Sequence, residues 1–309
     1  MKLLVVLTTY KRNSKILRLI NSFNDPLFYS IKDFIDIIIA DDDPNSILGT
    51  LINELNENHV FPLIYIKNSK NLGQGKNAAF TIYDNFSYDY YWMPGDDDII
   101  IVNEFKELIN KVFLLKPDIA LLEFRQGANL EGGTFFEGES RLITEYDECI
   151  EKIMRFGKNT STIFKRPSNW MMEEVLTTFS ECMYQDKVLA ILVYLESIKK
   201  EVYLKTEITA TGDKDFGRLR YSMRVFANLP LAVSLAIKIY NNKYLTNYNF
   251  IQNSKTSVFW WWKFGLLAHF NRSSQLAYTN SRLISEIFYP LTYLIRKISG
   301  REQSYFEKS

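Results

Sequence analysis

Along the first two thirds of the chain, short apolar runs alternate with stripes of apolar residues at helical spacing. Lys2 to Leu7, Phe34 to Ala40, Phe61 to Ile66 and Tyr88 to Met93 are almost continuously apolar over strand length. Such runs are expected of strands buried on both faces, as in parallel sheets. Between them, Ile16, Leu17, Leu19, Ile20 and Phe23 recur at helical spacing over Ser14 to Phe23, and Ile47, Leu48, Leu51, Ile52 and Leu55 do so over Ile47 to Asn56. Ala78 to Asn85 and Glu104 to Leu115 read as further helices, and Ile119 to Phe124 as a fifth strand. Gly127 to Gly138 is glycine-rich and reads as a loop. Beyond it, Tyr146 to Phe156, Ser168 to Phe179 and Asp186 to Lys199 read as helices, with Thr162 to Phe164 and Val202 to Ile208 as strands. Strand, loop and helix in alternation predict an α/β fold, with a mostly parallel central sheet flanked by helices. The charged break Thr211 to Gly217 divides the chain into a domain over 1–215 and a helical extension over 216–309.

Ligands of such sheets sit beyond the carboxyl ends of the strands, and each of the first four predicted strands ends there in a polar cluster. The first gives Thr8-Thr9-Tyr10-Lys11-Arg12, the second Asp41-Asp42-Asp43-Pro44-Asn45-Ser46, and the third Asn71-Leu72-Gly73-Gln74-Gly75-Lys76-Asn77. The fourth delivers Met93-Pro94-Gly95-Asp96-Asp97-Asp98 before an apolar run resumes. Three adjacent carboxylates repel one another, and a divalent cation removes that repulsion. Hard oxygen ligands of this kind suit Mg²⁺ or Mn²⁺, which keep coordination positions for substrate phosphates. The alternative is a solvated acidic turn that caps the helix beginning near Val102.

Composition adds an asymmetry that the net charge of +1 conceals. Residues 218–309 hold 13 Lys/Arg against 3 Asp/Glu, which leaves 24 and 33 for residues 1–217. The acidic part is the expected home of a metal site, and the basic part is expected to face something anionic. That extension is also rich in aromatics, including Trp260-Trp261-Trp262 beside Lys263. Aromatic and basic residues together suit an anionic membrane surface; the alternative is a set of helices packed on the first domain. No apolar run is long enough to span a bilayer. Cys149 and Cys182 have no metal-binding spacing and fit a reducing, cytoplasmic compartment. With two histidines in the whole chain, Ser-His-Asp, Cys-His and zinc chemistry are disfavoured. No phosphate-binding P-loop, dinucleotide fingerprint or nucleic-acid module is present.

Taken in order, the four clusters resemble the GT-A glycosyltransferases of family 2, inverting enzymes of bacterial polysaccharide synthesis. The resemblance covers about residues 1–125 well and 160–200 more loosely. It implies a nucleotide-sugar donor, in particular a UDP-sugar, with Thr8, Thr9, Tyr10 and Arg12 at the donor site. Asp41 or Asp42 would accept the uracil N3 proton. Asn71 and Gly73 fit the family's Asn-x-Gly turn, and Lys76 stands where the family carries an arginine near the nucleotide. The acidic triplet corresponds to the Asp-x-Asp motif, so Asp98 is the expected ligand of Mn²⁺ or Mg²⁺. Asp96 is the expected ribose-side partner and second metal ligand, and Asp97 could take either role. Asp186, in Tyr184-Gln185-Asp186-Lys187, is the expected catalytic base, with Glu181 in reserve. A helix N-terminus there would favour the ionised carboxylate. The expected acceptor is a lipid-linked saccharide, and the expected location is the inner face of the cell membrane. A nucleotidyltransferase on a similar sheet, or a degenerate sugar- or lipid-binding protein, are the competing readings.

Overall fold

The structure is a computed structural model that describes residues 1–126, 138–155, 159–178, 185–212, 232 and 235–246. Up to residue 212 they form nine strands and seven α-helices, with short 3-10 turns. In chain order they are β1 (Leu3–Thr9), α1 (Asn13–Ser22), β2 (Ile35–Asp41), α2 (Leu48–Asn56), β3 (Leu63–Lys67), α3 (Gln74–Asp84), β4 (Tyr90–Trp92) and β5 (Asp98–Ile100). Then follow α4 (Val102–Leu115), β6 (Ile119–Gln126), β7 (Arg141–Ile143), α5 (Tyr146–Arg155), β8 (Thr162–Lys165), α6 (Asn169–Thr178), α7 (Gln185–Glu196) and β9 (Val202–Gly212). One sheet joins all the strands in the order β3-β2-β1-β4-β8-β6-β9-β5, with β7 also paired to β9.

The first four strands are parallel neighbours, with Leu3 to Thr9 in register with Ile35 to Asp41 and Leu3 to Val5 with Tyr90 to Trp92. Their carboxyl ends therefore lie side by side on one edge. β8 runs antiparallel between β4 and β6. It carries its first residues to that same edge, because its N-terminus lies where its neighbours end.

The continuous apolar runs are explained by the two packed faces. Alternate residues of β1 and β2 enter opposite clusters: Leu4, Val6 and Ile38 pack with α3, α6 and α7, while Leu3, Val5, Leu7, Ile37 and Ile39 pack with α1, α2 and α4. A strand with both faces covered has no polar alternation to show. Residues 235–244 are helical, and Leu235, Ala236 and Ile239 join the α6–α7 cluster. The rest of the proposed extension, with the Trp260 to Trp262 run and the 216 boundary, lies outside the described residues. So do most of the Gly127 to Gly138 stretch and Glu181.

Two strands have no signature in the sequence pattern. β5 starts at Asp98 itself, where a turn leading into a helix is expected, and pairs antiparallel with the end of β9 through Asp98↔Gly212. β7 pairs with the start of β9. Helix α3 begins at Gln74, so Lys76 and Asn77 lie in its first turn and not in the preceding loop. Its N-cap is Gly73 at φ +80°, a left-handed conformation that glycine adopts without a Cβ penalty.

Trp92 couples the core to the turn that follows β4. Its ring is fully buried, stacks on Phe105 at a centroid distance of 4.9 Å and meets Phe23 edge-on at 6.1 Å. Its indole N–H donates to the Thr160 carbonyl at 2.8 Å. Trp92→Phe leaves that carbonyl without its donor and opens a cavity where the second ring packed, at a cost of at least about 1–3 kcal/mol. Urea unfolding of the variant measures this, and a loss below about 0.5 kcal/mol would show that the bond holds nothing in place.

Candidate active site

The strand-end edge gathers the predicted polar clusters in the order set by the sheet. At the end of β1, Thr9 is buried, and its carbonyl accepts from the Asp42 N–H at 2.9 Å. The chain then turns through Lys11 at φ +55°, an uncommon conformation for a residue with a side chain, and Arg12 caps α1. Tyr10 is exposed, with the Lys11 ammonium 5.1 Å from its ring centre.

The two acids at the end of β2 are engaged by the protein itself. Asp42 accepts from the Leu72 N–H and the Asn68 amide through Oδ1, at 2.8 and 3.0 Å, and from the Gly73 N–H through Oδ2 at 2.8 Å. It thus fixes the Asn71–Gly73 turn, with Asn71 Oδ1 also accepting from Gly73. Burial raises the Asp42 pKa despite the bonds from Leu72, Asn68 and Gly73. Asp41 accepts from the Tyr65 hydroxyl at 2.9 Å and the Asp43 N–H at 3.0 Å. Asn77 ties α3 to the end of β2 through the Ala40 carbonyl at 2.9 Å. Lys76 sits one residue earlier, its ammonium 5.4 Å from the Phe80 ring centre.

The acidic triplet is not a solvated turn. Asp96, Asp97 and Asp98 are 7%, 8% and 1% exposed. The Arg12 guanidinium bridges two of them, with Nη1 on Asp96 Oδ1 and Nη2 on Asp97 Oδ2, the latter at 3.2 Å. The Thr9 hydroxyl donates to Asp96 Oδ2 at 3.2 Å, and Arg18 donates to the Asp97 carbonyl at 3.0 Å. Asp98 Oδ2 accepts from the Gly95 N–H at 2.9 Å and from the Thr160 hydroxyl. Gly95 is needed for space: a Cβ there would lie 3.0 Å from Asp98 Oδ2 and 3.1 Å from Asp97 Oδ1. The Asp96 carboxyl is pushed up to about 6 by burial, against the pull of Arg12.

The other side of the edge is built by β8 and α7. Two residues beyond Thr160, the Thr162 hydroxyl accepts from the Lys187 ammonium. Asp186 and Lys187, in the first turn of α7, are each 2% exposed. Asp186 Oδ2 is buried and has no hydrogen-bond partner among the described residues. Its pKa is driven up to about 6 by burial, with Lys187 pulling the other way, while burial drives Lys187 down to about 8. Burial therefore outweighs the helix N-terminus that was expected to favour the charged form.

The structure thus brings Thr9, Arg12, Asp96 and Asp97 into direct contact, and sets Asp41, Asp42, Asn71, Gly73 and Lys76 along the neighbouring strand ends. The Thr160–Thr162 segment links Asp98, through the Thr160 hydroxyl, to Lys187 beside Asp186. Sequence reasoning missed Thr160, Arg18 and Lys187. Thr160 and Arg18 belong to no motif, and Lys187 carried no role beside its acidic neighbour. Among the described residues, no three His, Cys, Asp or Glu side chains converge to hold a metal ion. Mg²⁺ and Mn²⁺ commonly take one or two carboxylates and fill the remaining positions with water and substrate phosphates. The buried, hard-oxygen triplet fits that mode and not an all-protein cage.

Residues 4–176 match the family described as glycosyl transferase family 2, and the chain belongs to that family. It is therefore a glycosyltransferase with a GT-A fold. Over 92 residues it is 32% identical to the abequosyltransferase RfbV of Salmonella typhimurium, a match that spans 30% of this chain and 27% of that relative. Its fold is similar to that of S. aureus TarS 1–349, with a TM-score of 0.53 and 13% identity over 88% of this chain and 81% of that one. The structure of TarS 1–349 in complex with UDP-GlcNAc matches with a TM-score of 0.53 and 14% identity, over 79% and 73% of the two chains. At these identities the likeness to TarS is one of fold alone.

The raised Asp186 pKa has a consequence for stability. The folded chain holds this proton up to about pH 6, whereas the unfolded chain releases it near pH 4. Between those values the folded state binds more protons, so stability falls as pH rises. Asp186→Asn removes the effect, and relative to the wild type the variant should gain on the order of 2 kcal/mol between pH 4 and pH 7. Urea midpoints at the two pH values measure the gain; an unchanged difference would contradict the buried, ionisable Asp186.

Proposed function

We propose that this chain is an inverting, divalent-cation-dependent glycosyltransferase that moves a sugar from a UDP-sugar to a saccharide acceptor. The observation that carries this reading is the convergence on one sheet edge of a buried acidic triplet, an Asp42-anchored Asn-x-Gly turn and the end of β1. A nucleotide diphosphate needs all three: a place for its base, contacts for its ribose and phosphates, and positive charge on its leaving group. Thr8, Thr9 and Tyr10 line the base end with Asp41 and Asp42, and Asn71, Gly73 and Lys76 flank it. Asp42 serves by shaping the turn, since both of its oxygens accept bonds from residues 68–73. Asp98, with Asp96 or Asp97, would hold Mn²⁺ or Mg²⁺. Such a bound ion supplies charge neutralisation to the departing diphosphate.

Inversion requires a single displacement at the sugar's anomeric carbon. The acceptor hydroxyl oxygen forms the new bond, the bond to the diphosphate breaks, and the acceptor's proton goes to a base. Asp186 suits that role. A carboxylate with a pKa near 6 is ionised at neutral pH yet more basic than an ordinary aspartate. Its Oδ2 has no hydrogen-bond partner among the described residues, so an acceptor hydroxyl that reached this buried oxygen would displace no protein donor there.

The match to an abequosyltransferase supports sugar transfer, and we take the acceptor to be a lipid-linked saccharide of surface polysaccharide assembly. The basic, aromatic-rich residues 216–309 would then hold the enzyme at the cytoplasmic face of the membrane. No helix among the described residues is long and apolar enough to cross a membrane.

A panel of nucleotide sugars assayed for transfer and for slow hydrolysis with Mn²⁺ tests the reading, and activity with none of them would sink it. Asp186→Asn should lower transfer by about 10²–10⁴-fold while leaving UDP affinity within a few-fold of the wild type. Loss of UDP affinity as well would make Asp186 a structural group. Asp98→Asn should abolish both transfer and the effect of Mn²⁺ on UDP binding.

A further inference from the structure

The Arg12 bridge is not explained by the roles above. A guanidinium that occupies Asp96 and Asp97 stands where a divalent cation and a diphosphate would compete for the same carboxylates. We propose that Arg12 is an internal counter-ion that holds these two carboxylates before the donor arrives, suppresses binding of the bare metal ion, and transfers to the donor's diphosphate. The inference rests on the reading of the site as a nucleotide-sugar site.

Three features carry it. The first is the division of the fork: Nη1 goes to one carboxylate and Nη2 to the other, so a single cation serves two neighbouring anions. The second is access. The Arg12 side chain is 35% exposed, while those of Asp96 and Asp97 are 8% and 12% exposed. Arg12 is therefore the more solvent-exposed partner of two buried acids. The third is that the acids keep other anchors when it leaves. Thr9 still donates to Asp96, and Arg18 still holds the Asp97 carbonyl. An arginine needed only for folding would have no reason to sit on the exposed side of a turn already pinned from within.

The chemistry gives the exchange a direction. Two buried carboxylates without a counter-ion are strongly unfavourable, so the donor-free site needs Arg12. With a metal-bound donor in place, Asp96 and Asp97 would hold the cation instead of Arg12, and the freed guanidinium would match phosphate oxygens bidentately. Metal and nucleotide would then bind together, and the metal alone would bind weakly.

The test is a titration of Mn²⁺ into the full-length chain without nucleotide, read by the paramagnetic resonance of free Mn²⁺. Wild type, Arg12→Gln and Arg12→Lys are compared, followed by UDP titrations at saturating Mn²⁺. Removing one positive charge at the acids should tighten bare Mn²⁺ binding by about tenfold or more in Arg12→Gln. It should weaken UDP binding by about tenfold. Arg12→Lys keeps the charge but cannot bridge both acids, so it should tighten Mn²⁺ binding by about threefold. Equal or weaker Mn²⁺ binding in Arg12→Gln overturns the proposal. If that variant does not fold, as judged by its circular dichroism, wild-type Mn²⁺ affinity in Arg12→Lys overturns it instead. Wild-type protein that binds no UDP even with Mn²⁺ would defeat the UDP-sugar reading, and with it the diphosphate half of this inference. Intact UDP binding with unchanged Mn²⁺ affinities would defeat the Arg12 inference alone.

Discussion

Three consecutive carboxylates are held in the interior at the end of β4, and most of the functional edge is arranged to make that tolerable. Two charges about 5 Å apart repel by about 3 kcal/mol at an effective dielectric of about 20, and each ion also loses hydration. The protein meets this cost from several directions. Arg12 and Thr9 come from the end of β1 and Arg18 from α1, while Thr160 and the Gly95 N–H turn toward Asp98. Gly95 leaves room for two of the carboxylates. Trp92 then ties Thr160 to the core, so packing beneath the sheet edge fixes the polar geometry above it.

The sheet divides the labour. β3, β2, β1 and β4 run parallel and present their ends in a row, which suits an extended ligand such as a nucleotide diphosphate. β8 runs antiparallel beside β4 and brings Thr160 and Thr162 to the same edge from below. Thr160 touches the triplet and Thr162 touches Lys187, so one short segment joins the donor side to the α7 N-terminus. Under the proposed mechanism, this segment sets the spacing between the leaving group and the base.

Much of this was legible in the sequence, for physical reasons that also mark where the reading stopped. Strands covered on both faces show as apolar runs, and ligand-binding polar residues collect where those runs end. β1 to β4 and their clusters were therefore readable. β5 and β7 were not, because three-residue strands have no period of their own and exist through pairing with β9. The triplet was readable as acidic and unusual, but its burial was not, since Arg12 and Thr160 reach it from distant parts of the chain. Asp42 was readable as part of a polar cluster at a strand end, whereas its engagement by the Asn71–Gly73 turn needed coordinates. At Asp186 the helix dipole argued for an ordinary charged acid, and burial, which no sequence pattern reports, reversed the sign.

A clamp for a nucleotide diphosphate and its divalent cation at the Asp96–Asp98 turn, as proposed, would make UDP binding depend on the metal. Calorimetric titration of UDP into the wild-type chain, with Mn²⁺ and with the metal chelated, tests it most directly. The account predicts binding with Mn²⁺ and affinity at least about tenfold lower without it. Equal affinity in both conditions, or no binding in either, would contradict it.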